Sequence, residues 1–175
     1  AHQRAVLGFL AEHVDVEDEI DTLEFSLSGN FSGKYRAIHS GLRTVPSFGS
    51  VVASIPSYCD AVFVGVARSS PRECARVLAN LEDYERESCV ALQLGDFIKT
   101  PDANHDEQIY GVVLLRTASL TDTAALPDCE TIGGRHTRFY LVVPLSEAEA
   151  ELRSQRGHDA LMENFATTAK DIRLF

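Results

Sequence analysis

Ala61-Val62-Phe63-Val64-Gly65-Val66-Ala67, followed past Arg68 and Ser69 by Ser70-Pro71-Arg72-Glu73-Cys74, is the stretch on which the fold turns. A strand with one solvated face alternates apolar and polar positions, whereas this run is apolar throughout apart from Gly65. It reads as a strand buried on both faces, which requires a sheet covered on each side. The helix after it starts at Ser70. An N-cap serine, proline at the first helical position and glutamate at N3 make up a capping box. Cys74, Val77, Leu78 and Leu81 then repeat at i, i+3, i+4 and i+7, with Arg and Glu on the opposite face, so this stripe belongs to the core.

The same tests organise the rest of the chain. Val6, Phe9, Leu10 and His13 keep a helical period, predicting a short amphipathic helix over residues 1–14. The acidic run Asp15, Glu17, Asp18, Glu19 and Asp21 reads as a solvated connection, with a partner-facing patch as the alternative. Leu23, Phe25 and Leu27 alternate with polar residues as a half-exposed strand, residues 29–33 supply a turn, and Tyr35 to Leu42 is extended again. Val51, Val52 and Ile55 lie at strand-like density within the Ser- and Gly-rich segment from Pro46 to Pro56. Gly133-Gly134, between Thr131-Ile132 and Phe139-Tyr140, predicts a hairpin. A second capping box, Ser146 to Glu149, opens a final helical region that Gly157 interrupts. The expected class is α+β, a mixed sheet covered by helices in one domain over residues 1–175.

Composition narrows the function. Sixteen Lys and Arg stand against 26 Asp and Glu, for a formal net charge of −10. Such an excess disfavours nucleic acid and anionic membranes, both of which attract a basic face, and it suits a basic protein partner. The longest apolar runs, Tyr110 to Leu115 and Phe139 to Val143, fall far short of the roughly 20 residues that span a bilayer. No charged segment followed by an apolar one marks a leader at the start. Cys59, Cys74, Cys89 and Cys129 are even in number, but a chain of this size needs no staples. Buried reduced thiols are the expectation, ahead of disulfides or a reactive thiol, and with them a cytoplasmic setting.

The motifs of chemistry are incomplete. Gly29 to Tyr35 resembles a phosphate loop with one residue too few between its glycines and tyrosine in place of the magnesium-binding Ser or Thr. Asp102, Asn104 and Asp106 fit the first three side-chain ligands of a calcium loop. Glu107 and Val113, however, stand where glycine and a bidentate glutamate are required. The cysteine spacings contain no zinc knuckle and no G-x-S-x-G elbow is present. Cys59 beside Asp60 makes a thiolate–imidazole pair only if folding brings His39 or His136 to it. His158, after Gly157, reads as a capping or surface residue. No cofactor or metal is expected.

One ordered pattern remains. Gly134 to Glu149 carries an apolar strand into Pro144-Leu145 and an acidic helix, followed by Leu152, Arg153, Gly157 and Leu161-Met162. Upstream stand Val77 to Tyr84, then Gly95-Asp96-Phe97-Ile98, and before them Ser40-Gly41-Leu42. In this order and spacing the chain resembles the suppressor of fused family over roughly residues 36 to 165. It departs by lacking tryptophan and by reading Gly-Leu-Arg at Gly41 to Arg43. The resemblance implies the bacterial-type single-domain form, a protein-binding module and not an enzyme. It further implies an immunity protein that sequesters a toxin domain, or a regulatory adaptor that takes a partner peptide as an added strand. A hydrolase with a cysteine or carboxylate site is the remaining alternative. The matched motifs include no partner-contacting residue, so the candidate patches come from charge alone. They are Asp102, Asp106 and Glu107 on one loop, and Asp18 and Glu19 in the acidic run.

Overall fold

The computed structural model describes residues 1–13, 16–26, 32–41, 49–56, 59–100, 109–119 and 126–174. For 16–26, 32–34, 40–41 and 119 it describes the backbone alone. Helix α1 (His2–His13) precedes strands β1 (Val16–Ser26), β2 (Ser32–Gly41), β3 (Ser50–Ile55) and β4 (Ala61–Ala67). Helix α2 (Pro71–Ser88) leads to β5 (Phe97–Lys99), β6 (Gly111–Leu115), β7 (Cys129–Ile132) and β8 (Arg135–Leu145). Helices α3 (Glu147–Arg156) and α4 (His158–Thr168) and the short β9 (Arg173–Leu174) follow.

These strands form one mixed sheet in the order β1-β2-β3-β4-β8-β6-β5, with β7 paired to β8 and β9 to β4. The first four run as an antiparallel meander. The chain then crosses over, so that β8 lies parallel to β4. All seven residues of β4 are buried, as its unbroken apolar run requires. Val62, Val64 and Val66 face a core shared with α1 and α4, while Ala61, Phe63 and Ala67 face α2. Gly65 points toward α2, where a Cβ would stand 2.8 Å from Cys74 Sγ and 2.9 Å from Leu174 Cδ1. Glycine lets the helix and the C-terminal strand approach the sheet this closely.

Local signals explain the element ends. The capping box at α3 is complete, with Ser146 Oγ accepting from Glu149 N and Glu149 Oε1 accepting from Ser146 N. At α2 only half of it forms. Ser70 Oγ accepts from Glu73 N, but the Glu73 carboxylate turns to Arg76. Gly157, at φ 89°, separates α3 from α4 as expected. The Gly133-Gly134 turn joins β7 to β8 with both glycines at positive φ.

Three expectations are corrected. The run from Asp15 to Asp21 is no connection past Val16, because β1 begins there. A strand at the end of a sheet needs only backbone partners on one side, and β2 supplies them, so weak apolar alternation suffices. The four cysteines are free thiols, yet only Cys59 and Cys74 are buried, while Cys89 and Cys129 are exposed. Finally, the carboxylates of α2 do not all face solvent: Glu82, Asp83 and Glu85 are buried.

Candidate partner-binding edge

Strand β5 is the terminal strand on one side of the sheet, paired among the described residues with β6 only. Leu114 N donates to Asp96 O at 3.0 Å and Thr100 N to Tyr110 O at 3.4 Å, so the Asp96 carbonyl and the Thr100 N–H face β6, and Ile98, between them in register with Val112, shares that inward phase. Antiparallel alternation therefore turns the N–H and C=O of Phe97 and Lys99 away from the sheet. The Gly95-Asp96-Phe97-Ile98 motif builds the start of this edge. Gly95, at φ 84°, donates its N–H to Leu114 O, and the Asp96 carboxylate accepts from Gln93 N at 2.8 Å.

Beside this edge runs a groove of about 180 Å³, lined by Val77, Asn80, Leu81 and Tyr84 of α2 and by Ile98 and Thr100, with the charged Asp83, Glu87 and Lys99 also in its wall. Tyr84 is 48% exposed, which is unusual for a large ring continuing the spacing of Val77 and Leu81. The apolar stripe of α2 here runs past the end of the core. Asn80 Oδ1 is buried with no hydrogen-bond partner among the described residues, an unmet acceptor at the wall of the groove.

Buried ion pairs fix the helix that forms this wall. Arg138 of β8 pairs with Glu85 and donates to Leu92 O at 2.6 Å, while Tyr140 Oη donates to the same carbonyl at 2.7 Å. Glu85 also accepts from Leu92 N. Burial works against the Arg138 charge, but the Glu85 and Tyr140 contacts outweigh it and raise its pKa. Farther along, Asp83 accepts from Tyr35 and from Arg86. These bonds hold the last turns of α2 and the 89–94 segment against the sheet.

The candidate thiolate is ruled against by its surroundings. Cys59 is buried, its Sγ donates to Ala61 O at 3.4 Å, and burial with the nearby Glu82 and Glu85 carboxylates raises its pKa. Among the described residues no group of three or more His, Cys, Asp or Glu side chains is arranged to hold a metal, and no helix is long and apolar enough to cross a membrane.

Of the patches chosen from charge, Asp18 and Glu19 lie on β1, opposite His39 and Ile38. They occupy the other end of the strand order from β5 and do not join its groove. Asp102, Asp106 and Glu107 fall outside the described residues, as do residues 29–31 of the phosphate-loop-like stretch, whose remainder, from Ser32, is the start of β2. Charge pointed away from Asn80, Tyr84, Ile98 and Lys99, although the first two stand within the quoted Val77 to Tyr84 stretch. The exposed aromatic on an otherwise buried stripe was their signal.

A family model for the suppressor of fused protein (SUFU) matches residues 55–174, from the end of β3 through β9. The span includes the whole groove. A solved suppressor of fused homologue from Neisseria gonorrhoeae superposes with a TM-score of 0.71 at 14% identity, covering 99% of this chain and 93% of that one. A chain of the Sufu–Fu complex superposes with a TM-score of 0.62 at 12% identity, covering 93% and 82% respectively. At such identities these likenesses are of fold. No curated protein sequence matches the chain.

Proposed function

This chain belongs to the suppressor of fused family, and from that membership we propose that it captures and sequesters another protein, in the first instance a basic toxin domain that it neutralises. The observation that carries this is the outward-facing edge of Phe97 and Lys99 beside the groove under Tyr84. Strand groups without a partner among the described residues, next to a slot with both apolar and charged walls, are what a partner's main chain and side chains can fill together. The similar Sufu chain was solved in complex with Fu, which supports capture of a protein. The net charge of −10 supports a basic partner, since opposite charge speeds encounter and screens out acidic competitors.

The test pairs this chain with a toxin domain encoded beside its own gene. Co-expression is expected to restore growth, and the two purified proteins to form a complex whose association slows as salt rises. No protection together with no complex overturns the toxin reading.

A regulatory adaptor that takes a short peptide as an added strand is the second reading, favoured by the pairing geometry of β5. Lys99→Pro removes one outward N–H and leaves the bonds to β6 intact, a substitution edge strands tolerate. Under strand addition this variant loses binding while its melting temperature stays near wild type. If its affinity is unchanged, the partner is held by side chains and charge instead.

A further inference from the structure

A second cleft, of about 590 Å³, opens where the Leu94–Asp96 segment and the end of β6 meet the corner between α3 and α4. Its apolar lining comes from Leu94, Leu114, Leu115 and Met162, and Leu94 is one of the exposed large hydrophobic residues, at 41%. Against this lining stand three basic side chains, Arg116, Arg153 and His158, on a molecule that is acidic overall. Asp96 is the acidic residue in the lining, and its carboxylate already accepts from Gln93 N.

The basic groups are held in place and under-used. Arg153 donates through Nη2 to Gly95 O at 2.8 Å, and its guanidinium lies 5.9 Å from the centre of the Phe97 ring. Its Nε is buried with no hydrogen-bond partner among the described residues. The same holds for His158 Nδ1, whose ring packs over Gly95. Arg116 is exposed and makes a loose 3.7 Å contact with Asp128. Helix α4 starts at His158, and its N-cap Gly157 offers no side chain to its first turn. Two partnerless polar nitrogens in side chains that line one cleft mark a site whose polar groups the described residues do not satisfy among themselves.

We propose that this cleft binds a carboxylate carried on an apolar group. The basic side chains and the start of α4 suit the anion, while the leucines and Met162 suit the arm attached to it. Asp96 in the lining and Asp159 in the first turn of α4 limit the negative charge the cleft accepts, which disfavours a phosphate dianion. The carboxylate belongs either to a small organic acid or to the C-terminus of a peptide. The site lies on the α3–α4 side of the edge, separate from the α2 groove, and does not depend on partner capture there.

The probes are 3-phenylpropanoate, its uncharged amide, inorganic phosphate, and one short peptide ending in phenylalanine as free acid and as amide. Each is titrated into the intact chain to about 10 mM, which saturates a site with a Kd of about 1 mM, with amide NMR shifts as the readout. Expected are shifts at Gly95, Asp96 and His158 with both acids and at least a tenfold weaker response to the amides and phosphate. Arg116→Gln, remote from the helix packing, is expected to weaken the acids at least threefold. Arg153→Gln is expected to weaken them at least tenfold with the remaining spectrum unchanged. Tighter binding of the peptide acid than of the small acid assigns the site to a C-terminus, and the reverse order assigns it to a metabolite-sized acid. Equal response to acid and amide, preference for phosphate, or no shift at these residues with wild type overturns the proposal.

Discussion

Tyr35 of β2 donates a 2.6 Å hydrogen bond to Asp83 of α2, joining residues 48 positions apart inside the protein. Both side chains are buried, and Arg86 donates to the same carboxylate oxygen at 2.8 Å. Burial, reinforced by the Asp83 bond and charge, pushes the Tyr35 hydroxyl above its ordinary value. The proton is thus held more tightly in the folded chain than in the unfolded one. Its contribution is complete below about pH 10 and is lost as pH rises above that value, where the unfolded tyrosine ionises first. Tyr35→Phe leaves Asp83 with one donor fewer and should cost about 1–3 kcal/mol. Denaturant unfolding at pH 8 and pH 11 checks both points, because the variant should lose less stability between the two than wild type does.

Arg138 and Glu85 form the second clamp on α2. Removing one partner strands a charge at low exposure. Arg138→Met is therefore expected to destabilise by about 3–5 kcal/mol, whereas Arg138→Met with Glu85→Leu recovers much of the loss. If the losses of Arg138→Met and Glu85→Leu measured singly in denaturant unfolding simply add in the double variant, the pair is not coupled.

At Gly65 of β4, side chains of α2 and β9 pack where a Cβ would stand. Gly65→Ala places its methyl within 3 Å of Cys74 Sγ and Leu174 Cδ1, an overpacking expected to cost about 1–3 kcal/mol. Adding Cys74→Ala removes one of the two obstructing atoms and should return part of the stability. Melting temperatures of the single and double variants decide the matter.

The four thiols should separate into two classes under alkylation at neutral pH. Burial raises the pKa of both Cys59 and Cys74, so these react slowly. Exposed Cys89 and Cys129 are modified first. Peptide mapping after brief iodoacetamide treatment gives the order, and fast labelling of Cys59 would reopen a thiol chemistry for this chain.

How far each feature was visible in the chain follows from the range of the forces behind it. The seven apolar residues of β4, the caps at Ser70 and Ser146 and the break at Gly157 are local, because a pleat, a helix turn and a cap each close within a few residues. Periodicity and the family pattern therefore reached the α+β class. Local pattern failed where the partner of a group lies far along the chain. Asp83 and Glu85 look like part of a solvated helix face, yet they are buried where Tyr35, Arg138 and Leu92 supply hydrogen bonds from other elements. Likewise, the alternation at Leu23 and Phe25 announces the second half of β1, but nothing near Val16 announces its start, which is held by pairing with β2.

The acidic charge belongs to composition and needed no folding to be known. Its distribution did. Folding commits three α2 carboxylates to the interior and sets Arg116, Arg153 and His158 around one cleft of an otherwise acidic molecule. It also leaves β5 as the end of the sheet among the described residues, because strand order is settled by crossovers between distant segments. Helix, strand and cap are written in neighbouring residues. Which edge stays open, and which charges meet there, depends on long-range packing of segments that no single stretch of chain encodes.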